Sequence, residues 1–198
     1  MSDAWRPTDG VPSPVPPRPS DPRPGPAALN RALRRVRQTR DFQPTPVPED
    51  ALLDILDVAR WTGSAGNRQP WTFIVVTDAA TKQQMAAAAT NTPHIGIAPV
   101  VIAVAMEPMG ETSDNFDEGR VAERMMIAAT AHGLACGIGR ARPDAQKVIG
   151  PLLGVPPDRY IRTMVSIGFP TTAGRAAKSP PGQARRRLDE LVRRERFS

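Results

Sequence analysis

The sequence predicts an α+β fold in which helices flank a central mixed or antiparallel sheet. Short runs rich in apolar and β-branched residues, at 71–77, 98–105 and 160–168, alternate with segments of helical periodicity. One helical segment, 117–132, is apolar around most of its circumference after the first turn, which is typical of a buried central helix. The 198 residues are enough for one well-buried core, and the length favours one domain.

The first 27 residues are predicted to form a disordered tail ahead of a single domain at 28–198. Between positions 7 and 26, proline alternates with serine, arginine, aspartate and glycine. Proline lacks the backbone N–H that helix interiors and sheet ladders need, so this composition adds nothing to a core. The tail could bind a partner that recognises polyproline II helices, although a tail without that role is the simpler interpretation.

The first two helices are predicted at 27–38 and from residue 48 onward. Arginine and aliphatic residues fill the first segment, and the prolines that follow it prevent the helix from continuing. Pro48, Glu49 and Asp50 then form a favourable first turn for the second helix. Apolar residues repeat at helical spacing behind that turn, which predicts a helix with one face packed inward.

The central part of the chain is predicted to alternate strand and helix. The aromatic and β-branched run at 71–77 indicates a strand, and Asp78 is the expected N-cap of a helix through residue 89. The almost continuous apolar run at 98–105 indicates a strand covered on both faces. A loop is predicted at 107–116, ahead of the long helix at 117–132.

The remaining elements follow a glycine-rich return that is predicted at 133–139. Pro143 and Asp144 are expected to begin a short helix through residue 149, because proline and an acid suit a first turn. The run at 160–168 is predicted to be the last strand. Strands interleaved with helices in this way give the α+β sandwich.

The most informative motif is the decapeptide TGSAGNRQPW at 62–71. Its glycines allow the backbone to approach a flat ligand closely, and Asn67 and Gln69 offer both donors and acceptors. With the upstream sequence RQTRDF at 37–42, it resembles the nitroreductase family of FMN enzymes. Members of that family typically carry an Arg-Ser-x-Arg-x-Phe-like element and then a Pro-Ser-x-x-Asn-x-Gln-Pro-Trp-like element, and the order is the same here.

This resemblance extends from about Arg34 to Phe197 and implies a nitroreductase-like sandwich that is an obligate homodimer. In such a dimer two flavins lie at the subunit interface. Residues matching Ser64, Ala65 and Asn67 lie against the flavin, often contributed by the second subunit, and Gln69 belongs to the same motif. The alternative is an ordinary loop whose polar side chains satisfy backbone groups.

The resemblance also implies a phosphate clamp made from both ends of the domain. Arg37 and Arg40 are expected to grip the FMN phosphate, with Gln38 touching phosphate or ribityl oxygens. If the first helix reaches this far, the two arginines project from one face. Arg185 and Arg186 match the C-terminal basic pair that closes over the phosphate. Exposed basic surfaces at both places are the alternative.

The glycine-rich return could serve the flavin ring. Gly137, Ile138 and Gly139 would place a backbone N–H near flavin N5, the atom that gains or loses hydride, and glycines would let it come close. The spacing is not a dinucleotide fingerprint, because no Gly-x-Gly-x-x-Gly follows a strand and opens a helix here. Any turn that enters a strand could have this composition.

The function implied is an FMN-dependent oxidoreductase that takes hydride from NAD(P)H and passes it to a nitroaromatic, a quinone or a similar small oxidant. No catalytic side chain is assigned, because the flavin carries the chemistry. The alternative is a flavin- or deazaflavin-binding or storage protein with little turnover. Two departures from the family pattern keep that alternative open: Val36 stands where many members have arginine, and Gln38 where serine is usual.

The net charge and the few histidine and cysteine residues limit which other functions the sequence supports. The net charge of +6 and the isoelectric point near 10.6 raise nucleic-acid binding as a weaker hypothesis, but aromatic residues are too few for a stacking platform. His94 and His132, the only histidines, are far apart in sequence, which disfavours a metal site or a catalytic triad. Cys136 is the only cysteine. No secretory or membrane segment is evident, so a cytoplasmic protein without membrane partners is expected.

Overall fold

A four-stranded antiparallel sheet organises the chain in the computed structural model, which describes residues 25–176 and 185–197. The strands are β1 (Trp71–Val76), β2 (Val100–Met106), β3 (Ala135–Arg140) and β4 (Tyr160–Gly168), in the order β1-β2-β4-β3. The predicted α+β class is confirmed, and the sheet is antiparallel rather than mixed. The tail predicted at 1–27 lies largely outside the described residues.

Helices form a layer on each side of the sheet. The layer that contains α2 (Glu49–Arg60) and α5 (Glu111–Ala131) covers one face. The layer that contains α3 (Ala79–Ala88), α4 (His94–Ile97) and α6 (Pro143–Leu152) covers the other face. The remaining helices, α1 (Pro26–Arg35), α7 (Thr172–Arg175) and α8 (Leu188–Leu191), contain no buried residue. Within the described residues, no helix is long and apolar enough to cross a membrane.

Strand β2 is buried along its whole length, as its apolar run predicts. Ile102 and Val104 face the α2 and α5 layer, whereas Val101 and Ala103 face the opposite layer. A bulge interrupts its pairing with β4, because Val104 pairs with Thr163 and the next residue pairs with Ile161. The extra residue of the bulge is Arg162, which brings the side chains of Arg162 and Thr163 together beside Glu118 of α5.

The first helix ends earlier than predicted. It begins at Pro26 and stops at Arg35, three residues before the predicted end at Gln38. The chain then turns to extended backbone, in which the Thr39 N–H donates to the Cys136 carbonyl at 2.7 Å and Gln38 pairs with Cys136 in parallel. Hydrogen bonds to the edge of β3 therefore replace the helical bonds that the composition of this segment favours.

Two other predictions were wrong at their boundaries. Helix α5 begins at Glu111, within the predicted loop at 107–116, because Asp114 accepts a hydrogen bond from the Met109 N–H at 3.0 Å and adds negative charge to the first turn. The predicted glycine return is a turn only at Gly133, where φ is 69°. Residues 135–140 continue as β3, since β4 offers a complete ladder of partners.

The glycine in the middle of β3 is required by packing. A Cβ at Gly137 would lie 2.3 Å from the Thr39 carbonyl oxygen and 2.9 Å from Ser166 Oγ. We therefore expect Gly137→Ala to lower the free energy of unfolding by about 1–3 kcal/mol. Gly119, exposed on α5 with nothing within 4 Å, is the matched control, and Gly119→Ala should raise stability by about 0.5–1 kcal/mol. Urea unfolding of both variants checks this, and equal effects would contradict the packing argument.

Candidate functional site

Two adjoining cavities between α1, the end of α5 and the C-terminal segment form a cleft that we call the basic cleft. Their volumes are about 820 and 550 Å³, and both are lined by Arg37, Gln38 and Arg185. The arginines that line the basic cleft are Arg34, Arg35, Arg37, Arg40, Arg175 and Arg185. Glu123 is the single acid among its described lining residues. A cavity of this size and charge suits a phosphate-bearing small molecule.

The structure brings Arg37, Gln38 and Arg40 to the cleft by a route other than the predicted one. Because α1 ends at Arg35, these residues do not lie on one helical face. The extended segment instead lies along the edge of β3, where the bridge between Gln38 and Cys136 fixes its position. Arg37 and Arg40 both line the larger cavity, and Gln38 lines both cavities.

Arg37 also caps the helix that precedes it. Its Nη1 donates to the carbonyls of Arg34 and Val36, the second at 2.8 Å. The C-terminal end of a helix carries partial negative charge, which would repel a bound anion. Arg37 offsets that charge and still has other N–H groups, since a guanidinium offers five donors.

The two C-terminal arginines, Arg185 and Arg186, lie in different surroundings. Arg185 lines both cavities of the basic cleft. Arg186 does not line either of them, and its Nε donates to Glu190 Oε2 at 3.1 Å on an exposed surface. The predicted convergence of the two chain ends is therefore seen for Arg185 and not for Arg186.

The decapeptide forms an exposed bend before β1. Ser64 Oγ accepts a hydrogen bond from the Gln69 N–H at 2.8 Å, which ties the two ends of the bend together. Asn67 and Gln69 have positive φ, 54° and 50°, a conformation that costs energy for residues other than glycine. Ala65, Asn67 and Gln69 are exposed, and none of the bend residues lines the basic cleft of the same chain.

A cation on α5 holds the bend in place. The Arg120 guanidinium donates to the Gly63 carbonyl and also lies over the Phe116 ring, 5.4 Å from its centroid. Phe116 is 66% exposed and Trp61, just before the bend, is 51% exposed. Two large aromatic side chains near the bend therefore face solvent in the single chain.

The predicted flavin-facing glycines lie in the sheet. Gly137, Ile138 and Gly139 pair with β4, and none of them lines the basic cleft. A Cβ at Gly139 would meet the Ile95 side chain at 3.1 Å, so both glycines have a packing role. Gly137 nevertheless lies against the backbone of Thr39, which lines the cleft, so this part of β3 borders the cleft without lining it.

The cysteine and the two histidines lie in surroundings that do not indicate a catalytic or metal-binding role. Burial raises the pKa of the Cys136 thiol strongly, which makes this cysteine a poor nucleophile. His94 is buried on α4. His132 is the C-cap of α5, and its Nε2 lies 2.7 Å from Asp54 Oδ2 at the surface. No cluster of metal-binding side chains occurs in the described part of the chain.

Sequence reasoning missed Thr39, Gly174 and Arg175, which also line the cleft. Thr39 Oγ1 donates to the Gly174 carbonyl at 3.2 Å, and this bond joins two segments more than a hundred positions apart. Only the pairing of these segments places Arg175 at the cleft. No local signal in the sequence marks it.

Comparison with known proteins finds a family model that matches part of this chain. A model described as the nitroreductase family matches residues 33–107, which confirms the resemblance seen in the sequence. A Thermus thermophilus protein named NADH dehydrogenase is 44% identical over 38% of this chain, and the match covers 36% of that protein. A Xanthomonas oryzae pv. oryzae protein, whose name joins NADH dehydrogenase and NAD(P)H nitroreductase, is 27% identical over 85% of this chain and 96% of its own length.

Solved structures confirm the architecture. An FMN-dependent nitroreductase from Clostridium difficile R20291 matches with a TM-score of 0.72 and 22% identity, covering 84% of this chain and 98% of that one. A Desulfovibrio desulfuricans protein in complex with FMN matches with a TM-score of 0.70 and 25% identity, covering 86% and 98%. The structural matches show the fold, and the family match and the names of the sequence relatives support an oxidoreductase.

Proposed function

We propose that this chain, which has the nitroreductase fold and matches the nitroreductase family over residues 33–107, is an FMN-dependent oxidoreductase. The observation that carries the proposal is the basic cleft. Arg37 and Arg40 from one end of the domain and Arg185 from the other line the same cavity, with a single acid among its described lining residues. Such a cluster is costly without an anion, because like charges repel at short range.

The residues of the cleft fit the phosphate end of FMN. Guanidinium groups form strong, paired hydrogen bonds to phosphate oxygens, and the Gln38 amide can both donate and accept toward the hydroxyl-bearing part of the cofactor. When bound, FMN supplies hydride transfer, which no side chain of this protein needs to perform. The protein binds the cofactor, orients it and limits the access of water.

A homodimer completes the proposed site. In the single chain, the bend at 64–69 is exposed and lies outside the basic cleft, whereas the family resemblance assigns it to the flavin ring. Trp61 and Phe116 add exposed apolar surface near the bend, which a second copy of the chain could cover. We therefore infer that the bend of one subunit contacts the flavin held by the basic cleft of its partner.

The proposed donor is NADH or NADPH, and the proposed acceptor is a small oxidant such as a quinone or a nitroaromatic. The names of the Thermus and Xanthomonas relatives, which refer to NADH and NAD(P)H, support the donor. The donor would reduce FMN and leave before the oxidant enters, so both would use the same face of the flavin in turn.

The direct test is FMN binding by the purified full-length chain. We expect a yellow protein, or one that binds added FMN at about one copy per chain when flavin fluorescence is titrated. The basic cleft predicts that FMN binds far more tightly than riboflavin, which lacks the phosphate. A protein that binds neither, or that binds riboflavin equally well, would overturn the assignment of the cleft.

A flavin- or deazaflavin-binding protein with little turnover is the second candidate. Val36 and Gln38 favour it, because both line the larger cavity at positions where the family usually has arginine and serine. Steady-state oxidation of NADH or NADPH with a quinone present separates the two candidates. Sustained turnover supports the enzyme, whereas stoichiometric reduction that stops after one cycle supports the binding protein.

A further inference from the structure

A third cavity, of about 360 Å³, lies where β3 ends and α6 begins, and we call it the β3–α6 cavity. Arg140, Arg142 and Arg162 line it together with the polar side chains of Asn91 and Gln146. It shares no lining residue with the basic cleft. Ala135 lines the cleft and Arg140 lines this cavity, so the two lie at opposite ends of β3, roughly 17 Å apart at a rise of about 3.3 Å per residue.

The three arginines differ in how far their charge is already balanced. Arg162 donates to Glu118 Oε2 at 2.9 Å, so its charge is paired. Arg140 donates to the neutral side chain of Asn115 at 3.2 Å, and its charge is balanced only in part, by its attraction to Glu118. The Arg142 guanidinium forms no hydrogen bond or ion pair with any residue in the described ranges, although the backbone carbonyl of Arg142 accepts from the Gln146 N–H at 2.9 Å. Glu111 is the one acid among the lining residues, so the cavity keeps an excess of positive charge.

The position of these cations makes the excess costly. Arg142 is the N-cap of α6, a ten-residue helix, and forms no side-chain cap bond there. The N-terminal end of a helix carries partial positive charge and unpaired N–H groups, which disfavour a nearby cation and favour an anion. Asp144 in the first turn offsets part of this charge. A bound oxyanion would offset the remainder and would meet guanidinium donors on two sides.

We propose that the β3–α6 cavity binds an oxyanion, the phosphate or carboxylate group of a small molecule. Arg140 and Arg142 bind its oxygens directly, and Arg162, which Glu118 fixes in place, closes one wall. The proposal does not depend on FMN, because the cavity and the basic cleft are separate.

The test uses inorganic phosphate as the probe and calorimetric titration of the full chain at constant ionic strength. Phosphate should also enter the basic cleft, so the measurement is made with Arg40→Ala, which weakens that site. In this background we expect Arg140→Gln with Arg142→Gln to weaken phosphate binding about tenfold or more. Succinate, titrated separately, reports whether a carboxylate binds the same residues.

Two controls keep the result specific. Arg60→Ala removes a cation of equal charge from the exposed end of α2 and should leave the phosphate affinity unchanged. Arg142→Lys retains the charge and should recover most of the affinity lost in Arg142→Gln. The proposal is overturned if the Arg40→Ala protein binds no phosphate, or binds it equally well with and without Arg140 and Arg142. FMN binding by the parent chain is measured separately, so this failure would leave the FMN assignment standing.

Discussion

Replacement of Arg162 by methionine is expected to lower the free energy of unfolding by about 3–5 kcal/mol, because it leaves a buried carboxylate without its counter-ion. Glu118 has a side chain only 3% exposed, and Arg162 is 12% exposed. Arg162 Nε donates to Glu118 Oε2 at 2.9 Å, and Thr163 Oγ1 donates to the same oxygen at 3.2 Å. Glu118 Oε1 accepts no hydrogen bond from the described residues, so both hydrogen bonds that stabilise this carboxylate are made to Oε2.

The loss should depend on pH in a defined direction. Burial raises the pKa of Glu118 above its ordinary value of 4.5, and the hydrogen bond and charge of Arg162 act against that rise. A carboxyl group with a raised pKa holds its proton more readily in the folded chain, so its contribution to stability is full below pH 4.5 and declines as the pH rises through the folded-state pKa. Without Arg162 the pKa of Glu118 rises further.

Chemical unfolding at low and at neutral pH measures both effects. The deficit of Arg162→Met should be smallest near pH 4, where Glu118 is mostly protonated in the folded and in the unfolded chain, and larger near pH 8. Because a buried pair is often replaceable by apolar groups of similar volume, Arg162→Met combined with Glu118→Met should recover most of the stability. A deficit below about 1 kcal/mol at pH 8, or one that does not change with pH, would show that the pair contributes little.

The strands show which parts of the fold can be predicted from the sequence. Strand β4 has the predicted bounds, 160–168, and β2 lies within two residues of its prediction, because both are apolar runs buried against helices on each face. Strand β3 has the composition of a turn. It is a strand only because it pairs with β4, which follows it in the sequence after α6. A contact of that kind has no local signal.

The candidate site was readable only in part, for a similar reason. Arg37, Gln38, Arg40 and Arg185 were indicated by family resemblance, and the structure brings them to one cavity. The shared helical face considered for Arg37 and Arg40 required the first helix to reach them, and it ends at Arg35, where the chain turns to pair with the edge of β3. The side chains lie together through tertiary pairing, which the spacing of the residues could not reveal.

Loss of both N-terminal clamp arginines is the second prediction with a large expected effect. Arg40→Ala alone should weaken FMN binding by about 1.5–3 kcal/mol, the contribution of a hydrogen bond to a charged group. Arg37→Ala with Arg40→Ala should weaken it by about 3 kcal/mol or more, which is more than about a hundredfold in Kd. Riboflavin affinity should fall much less, because it lacks the phosphate that these residues are proposed to bind. Titration of flavin fluorescence measures the affinities of the parent chain and of both variants for FMN and for riboflavin.

The adjacent C-terminal arginines supply a matched control for the same assay. Arg185 lines the basic cleft, whereas Arg186 pairs with Glu190 outside it. We therefore expect Arg185→Ala to weaken FMN binding roughly tenfold or more and Arg186→Ala to change it less than about threefold, although both remove one positive charge. If the two variants weakened FMN equally, the effect would be that of net charge, and specific binding of phosphate by the cleft would be excluded. A larger loss for Arg186→Ala would mean that the C-terminal segment rearranges when the cofactor binds and brings Arg186, which the family resemblance pairs with Arg185, to the phosphate.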